Sequence, residues 1–261
     1  MLYCSKSKEL FFDLQKFWED SEVVHPKPFW TAEEEECEKL FQKTHSRTKD
    51  ERYVVHLPIK SDVTSLGDSY SAALRMLIHM EQRFKRDVHF QKTYAKFMEE
   101  YHQLQHMKSV NIPADRRSIS RSFFLPHHGV WRESSSTTKL RVVFNGSRRS
   151  SRGISLNECL YAGPKLQLNI SDVLLQWLLH FIVFSADVEK IYRQIIVHQD
   201  DQDLQLILWR ESQNEPVQVF RLSTLTYGLT CAPFLALRIV QQLGLDEGDR
   251  FPLAAEEWHL C

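Results

Sequence analysis

Residues 181–186, FIVFSA, are apolar and largely β-forming, and they run directly into Asp187. A short uncharged run of this kind reads as a buried strand, so the rest of the chain has to supply a sheet and the layers that cover it. The strand would also deliver one carboxylate to the sheet edge. Tyr192 follows five positions later, where its ring can floor a pocket beside that acid. Two chemistries fit a strand-end aspartate: holding a metal ion, or capping the turn at 188–191 through its own side chain.

The remaining periodicities place this strand in an α+β chain. Thr31 followed by Glu34 has the spacing of a capping box, opening a short helix whose first turn falls in the run Glu33–Glu36. RYVVHLPI at 52–59 predicts a short strand. Ala73, Leu74, Leu77, Ile78 and Phe84 follow helical spacing, as do Tyr94, Phe97, Met98, Tyr101 and Leu104, and both sets read as packing faces. Near Pro113 the character changes. Segments 122–133 and 139–144 predict an antiparallel pair around the polar run SSSTT, followed by a Ser/Arg/Gly loop at 147–153. Asn169 opens an apolar helix through Leu179, and strands are expected at 181–186, 204–209 and 217–222. A last helix spans 231–243.

Four segments in order resemble the reverse transcriptase portion of BEL/Pao-type LTR retrotransposon polyproteins. SADVEKIYRQI is similar to the first catalytic motif. FFLPHHGVWRESSSTTKLRVVFNGS (123–147), GISLNECLYAGPKLQLNISDVLLQWLLHF (153–181) and VQVFRLSTLTYGLTCAPFLALRIVQQL (217–243) take the expected places around it. FWEDSEVV, RYVVHLPIK and LGDSYSAALRMLIHMEQRF are similar to the segment that precedes the polymerase. The resemblance runs from about Phe11 to Ala255. It implies a helical N-terminal extension with one short strand (1–90), a fingers-like subdomain (91–169), an incomplete palm-like subdomain (170–243) and a divergent tail (244–261).

The same resemblance assigns roles. Asp187 becomes a catalytic, metal-binding carboxylate for Mg2+ or Mn2+ in two-metal phosphoryl transfer. Tyr192 stacks under the sugar of an incoming deoxynucleoside triphosphate and excludes a 2′-hydroxyl. Arg141 contacts its triphosphate, which suits the planar two-donor fork of arginine, and Lys139 assists. Tyr227 and Gly228 belong to the loop that packs on the pairing base, with Pro233 in the first turn of the helix behind it. Local basicity, apart from the resemblance, offers Arg148, Arg149 and Arg152, with Arg132 on the hairpin, as contacts for the RNA or DNA template–primer. The family's aromatic-x-Asp-Asp hairpin, which brings the other metal-binding carboxylates, has no counterpart in these 261 residues. The expectation is a fragment whose inherited activity is RNA-directed DNA synthesis and which is inactive alone. The alternatives are a non-catalytic nucleic-acid-binding module and a non-functional remnant.

Composition narrows the field. A net charge of −1 is low for a nucleic-acid binder, but the basicity is local: residues 134–157 carry Lys139, Arg141, Arg148, Arg149 and Arg152 and no acid. No apolar run approaches the ~18 residues of a membrane span, and the N-terminal segment has too many charges for a secretory signal, which predicts an intracellular protein. Five scattered cysteines without a C-x-x-C pair argue against a zinc knuckle or a disulfide framework. His127 and His128 are adjacent on a strand, so they point to opposite faces and do not share a metal. Asp200 and Asp201, in HQDDQD, read as a solvated turn.

Overall fold

The computed structural model describes residues 30–111, 121–134 and 139–252. Helix α1 (Ala32–Thr44) opens on the expected capping box. The Thr31 hydroxyl accepts from the Glu34 amide, and the Glu34 carboxylate accepts from the Thr31 amide at 2.8 Å. Two orphan donors of the first turn are thereby satisfied. Cys37, Glu38 and Phe41 face inward. Strands β1 (Ser46–Arg47) and β2 (Tyr53–Val55) follow as an antiparallel pair.

Helices α2 (Tyr70–Arg86) and α3 (Val88–Gln103) form a tight pair. Asp87 ends the first and caps the second by accepting from the Phe90 amide at 2.9 Å. Ala73, Leu77, Met80 and Phe84 of α2 are buried, as are Phe90, Tyr94, Met98 and Tyr101 of α3. Ile78 and Leu104, read as core, lie on the outer side instead. Ile78 sits next to Leu77 on the helix, about 100° further round its axis, so both cannot face one contact.

Strands β3 (Met107–Val110), β7 (Leu206–Trp209) and β8 (Gln218–Leu222) make an antiparallel sheet in the order β3–β8–β7. Strands β4 (His127–Trp131) and β5 (Leu140–Phe144) form the expected hairpin, with His128 opposite Val143 and Val130 opposite Arg141. Its loop residues 135–138 lie outside the described residues, as do FWEDSEVV and the tail from residue 253. Helices α4 (Ile170–Trp177), α5 (Ile191–Gln194) and α6 (Ala232–Glu247), with strand β6 (Ile196–Val197), complete the chain. β6 runs parallel to β2 and closes the sheet β1–β2–β6. The architecture is thus mixed helix and sheet. Its buried apolar side chains form one cluster, in which the rings of Phe84, Phe90, Tyr94 and Trp209 meet.

Three expectations are corrected. Residues 181–186 are not a strand: the segment has no partner strand among the described residues, and it is exposed throughout. A strand exists only through the ladder to its neighbour, so apolar β-forming composition alone does not make one. The helix expected at 231–243 continues to Glu247, absorbing residues that had been assigned to a tail. Asp201 is not solvated. The polar run 199–205 coils as a 3₁₀ turn, and its spacing sends Asp201, Leu204 and Gln205 inward while Asp200 stays outside. There Asp201, 1% exposed, accepts from Arg121 Nη2 at 2.6 Å, His56 Nδ1 at 2.7 Å and the Leu57 amide at 3.0 Å.

Candidate functional site

Of the residues singled out by sequence, Tyr192, Tyr227 and Gly228 meet at the turn between β8 and α6. Gly228 makes that turn possible. Its φ of +94° is one that side chains rarely adopt, and a Cβ placed there would stand 2.0 Å from the Phe144 carbonyl oxygen. The turn therefore rests backbone to backbone on the end of β5. Pro233 lies in the first turn of α6, where its missing N–H costs nothing.

The seating is locked by a residue to which sequence reasoning gave no role. Asn157 Nδ2 donates to the Gly228 carbonyl at 2.9 Å and to Ser147 Oγ at 2.8 Å, and its Oδ1 accepts from the Thr230 amide at 3.0 Å. One amide side chain thus joins the loop after β5, the 3₁₀ turn Asn157–Cys159 and the 226–230 turn. An asparagine in a polar loop has no periodicity to betray such a part; only the fold shows it.

This turn presents Tyr227 to Tyr192, which stands on α5. The rings meet edge to face with centroids 4.7 Å apart. Tyr192 is half-buried, and burial together with Tyr227 raises its hydroxyl pKa above the ordinary value. Arg193, the next residue, is buried. It pairs with Glu100 of α3 at 3.0 Å and lies over the rings of Tyr101 and Phe97. Lys190, in a left-handed conformation at the start of α5, reaches the same Glu100 oxygen at 3.1 Å. Burial pushes the Glu100 carboxyl up, but the bonds and charges of Lys190 and Arg193 outweigh it and hold the carboxyl below its ordinary range. The α5 turn that carries Tyr192 is therefore pinned from below by a charged, aromatic-lined anchor. Lys190 makes its contact with Glu100 from the surface, with its side chain 42% exposed.

Asp187 lies three residues before Lys190, exposed on the irregular segment. No three His, Cys, Asp or Glu side chains gather as a metal-holding group among the described residues. One exposed carboxylate does not make a site for one divalent ion, and still less for two. The described residues do not fit the metal pair that the sequence resemblance implies.

Arg141 alternates outward on β5 between the buried Leu140 and Val142. Phe144, on which the Gly228 turn sits, is three residues along, or roughly 10 Å at strand rise. Lys139 and Arg132 flank the hairpin and are exposed, and the Arg132 amide donates to the Lys139 carbonyl. Arg148, Arg149 and Arg152 are exposed on the following loop. Arg149 is 3.6 Å from Glu158, and Arg152 donates to the Ser65 carbonyl. The run is basic, but Glu158, just beyond its end, offsets part of its charge.

His127 and His128 point to opposite sides of β4, as expected. His127 is buried, accepting at Nδ1 from the Tyr94 hydroxyl and donating from Nε2 to the Leu208 carbonyl. No protein-family model and no curated protein sequence matches the chain.

Proposed function

We propose that this chain is the nucleotide-facing part, fingers with part of the palm, of a BEL/Pao-type retroelement reverse transcriptase. In this reading its inherited chemistry is RNA-directed DNA synthesis. By itself it binds template–primer and deoxynucleoside triphosphate without joining nucleotides. The observation that carries the reading is the contact between Tyr192 and Tyr227. The sequence resemblance puts both at one nucleotide pocket, although 35 positions separate them (227 − 192). The Gly228 turn beside them also rests on the strand that carries Arg141, the residue proposed for the triphosphate. An aromatic platform and an exposed guanidinium suit a sugar and a polyphosphate respectively.

Among the described residues no group of three metal-ligating side chains forms around Asp187, which is why binding without polymerisation is the expected behaviour. Two assays test the reading. In primer extension with magnesium, the chain yields no product that depends on Asp187, with Asp187→Asn as control. Robust Asp187-dependent synthesis overturns the claim of incompleteness. In anisotropy titrations with a labelled template–primer, the triple change of Arg141, Arg148 and Arg149 to Ala weakens binding. It also flattens the salt slope, by about 0.7–0.9 for each phosphate that is no longer neutralised. A triple variant that binds with the original affinity and slope removes the nucleic-acid interface from the proposal.

A further inference from the structure

The largest anomaly on the surface is the segment from Leu168 to Phe184. Ten large apolar side chains in it are exposed, among them Phe181 at 102%, Phe184 at 88% and Ile182 at 79% of their full accessible area. At roughly 150–250 Å² for a large aromatic side chain and less for an aliphatic one, they present on the order of 1,000 Å². Monomeric proteins rarely expose a continuous apolar patch beyond roughly 300–600 Å². A standard stable interface needs roughly 800 Å² from each partner. The summed apolar exposure of the segment is of that order.

Two further features say what covers it. From Phe181 to Asp187 no backbone N–H or C=O is hydrogen-bonded among the described residues. The FIVF stretch is therefore a β-forming segment with a vacant ladder, a template for another strand. The second feature is charge. Between Asp172 and Asp187 the chain carries no Asp, Glu, Lys or Arg. In a two-fold interface each residue meets the same patch on the other copy, so a charge near the axis would face its own like. Here nothing repels, and nothing calls for a partner of complementary charge.

We propose that the chain forms a two-fold homodimer through residues 168–184. The FIVF segments of the two copies pair antiparallel across the axis, and the exposed apolar side of α4 is buried beside them. Two-fold pairing joins one edge of each segment and closes at two copies, whereas a head-to-tail contact repeats from copy to copy. The inference does not depend on the polymerase reading, because it uses neither Asp187 nor the tyrosine pair.

The test is sedimentation equilibrium of the full 261-residue chain from about 1 to 50 μM, a range that spans typical dimer dissociation constants. The wild type is compared with the double variant Phe181→Ser, Phe184→Ser. Both side chains are almost fully exposed in one copy, so the variant keeps the wild-type circular dichroism. The expected result is a monomer–dimer equilibrium for the wild type and a monomer throughout for the variant. The dissociation constant should rise by at least about 100-fold. A wild type that is monomeric across the range overturns the proposal. So does open-ended association without a dimer plateau, which assigns the patch to non-closing contacts, and so does a variant that dimerises as well as the wild type.

Discussion

Replacing Asp201 with alanine tests the buried network that the polar run 199–205 conceals. The carboxylate is 1% exposed and satisfies the Leu57 amide, the Arg121 guanidinium and the His56 ring together. Stranding a buried amide costs about 1–3 kcal/mol. Losing the bond from Arg121 adds about 1–3 kcal/mol, at the low end because that side chain is 42% exposed and can turn back to water. Removing the carboxylate also relieves its own desolvation, which returns part of the loss. The net expectation is about 3 kcal/mol. With a domain of this size moving about 2–4 °C per kcal/mol, the melting temperature should fall by about 6–12 °C. Asp201→Asn keeps an acceptor for the Leu57 amide and should lose about half as much. Asp200→Ala, on the exposed neighbour, should stay within about 0.5 kcal/mol. The assay is urea and thermal unfolding near neutral pH, followed by circular dichroism. If Asp201→Ala melts within about 1–2 °C of Asp200→Ala, the carboxylate is solvated after all and the reasoning fails.

Acid should destabilise the fold through two histidines. Burial holds His127 and His106 at about 4, below the ordinary 6.5, with Leu208 opposing the shift at His127 and Arg193 adding to it at His106. The unfolded chain therefore takes up protons first as pH falls. Stability from this source is complete above pH 6.5 and is lost between 6.5 and 4, at up to about 1.4 kcal/mol per pH unit for each ring. Urea midpoints between about pH 7.5 and pH 5 should show it, with a shallower slope for His127→Gln; midpoints flat across that range would refute it. Gly228→Ala should displace the turn from Phe144, costing about 2 kcal/mol or more, and weaken nucleotide binding by separating Tyr227 from Tyr192. A wild-type melting temperature and affinity for that variant would show that the turn adapts freely. Arg238 of α6 pairs with Glu38 of α1 at 2.9 Å, and both are nearly buried. Arg238→Met should cost about 3 kcal/mol by leaving Glu38 unpaired, whereas the double change with Glu38→Leu should recover most of it. A double variant as unstable as the single one would argue for lost packing over Phe41 instead of lost pairing.

What was legible in the sequence was whatever is decided within a few residues. The Thr31–Glu34 capping box, the helical stripes of α2 and α3 and the β4–β5 hairpin each rest on local spacing, and each appears in the structure. Gly228 was legible for the same reason, because a backbone approach that excludes a Cβ leaves a glycine as its trace. Tyr192 and Tyr227 were marked one at a time through the resemblance; their contact belongs to tertiary structure. Asp201, Asn157 and Arg193 were not legible. Each is polar, and composition assigns polar side chains to solvent unless a partner distant in sequence draws them in. For Asp201 those partners are 145 positions away at His56 and 80 away at Arg121.

The failure at 181–186 has the opposite cause, and it explains where this chain carries unspent interaction capacity. Local preference there favours a strand, but a strand also needs a neighbour with free backbone groups. The described β-strands pair in two three-stranded sheets and a hairpin, none of which takes up residues 181–186. An apolar segment whose preference the fold does not meet stays available to whatever can supply a second strand. The segment's two ends are anchored differently. α4 contributes no buried side chain, whereas α5 is held through Arg193 and Lys190 on Glu100. Pairing at FIVF would thus act on a stretch that ends at the fixed α5 turn, which begins four residues past Asp187. Any strand added there sets the position of that carboxylate relative to Tyr192. Mutating the Glu100 anchor should loosen that relation while leaving the strand-forming segment intact. In Glu100→Gln, dimerisation should persist while nucleotide affinity falls, and a parallel loss of both would show that the two surfaces are one.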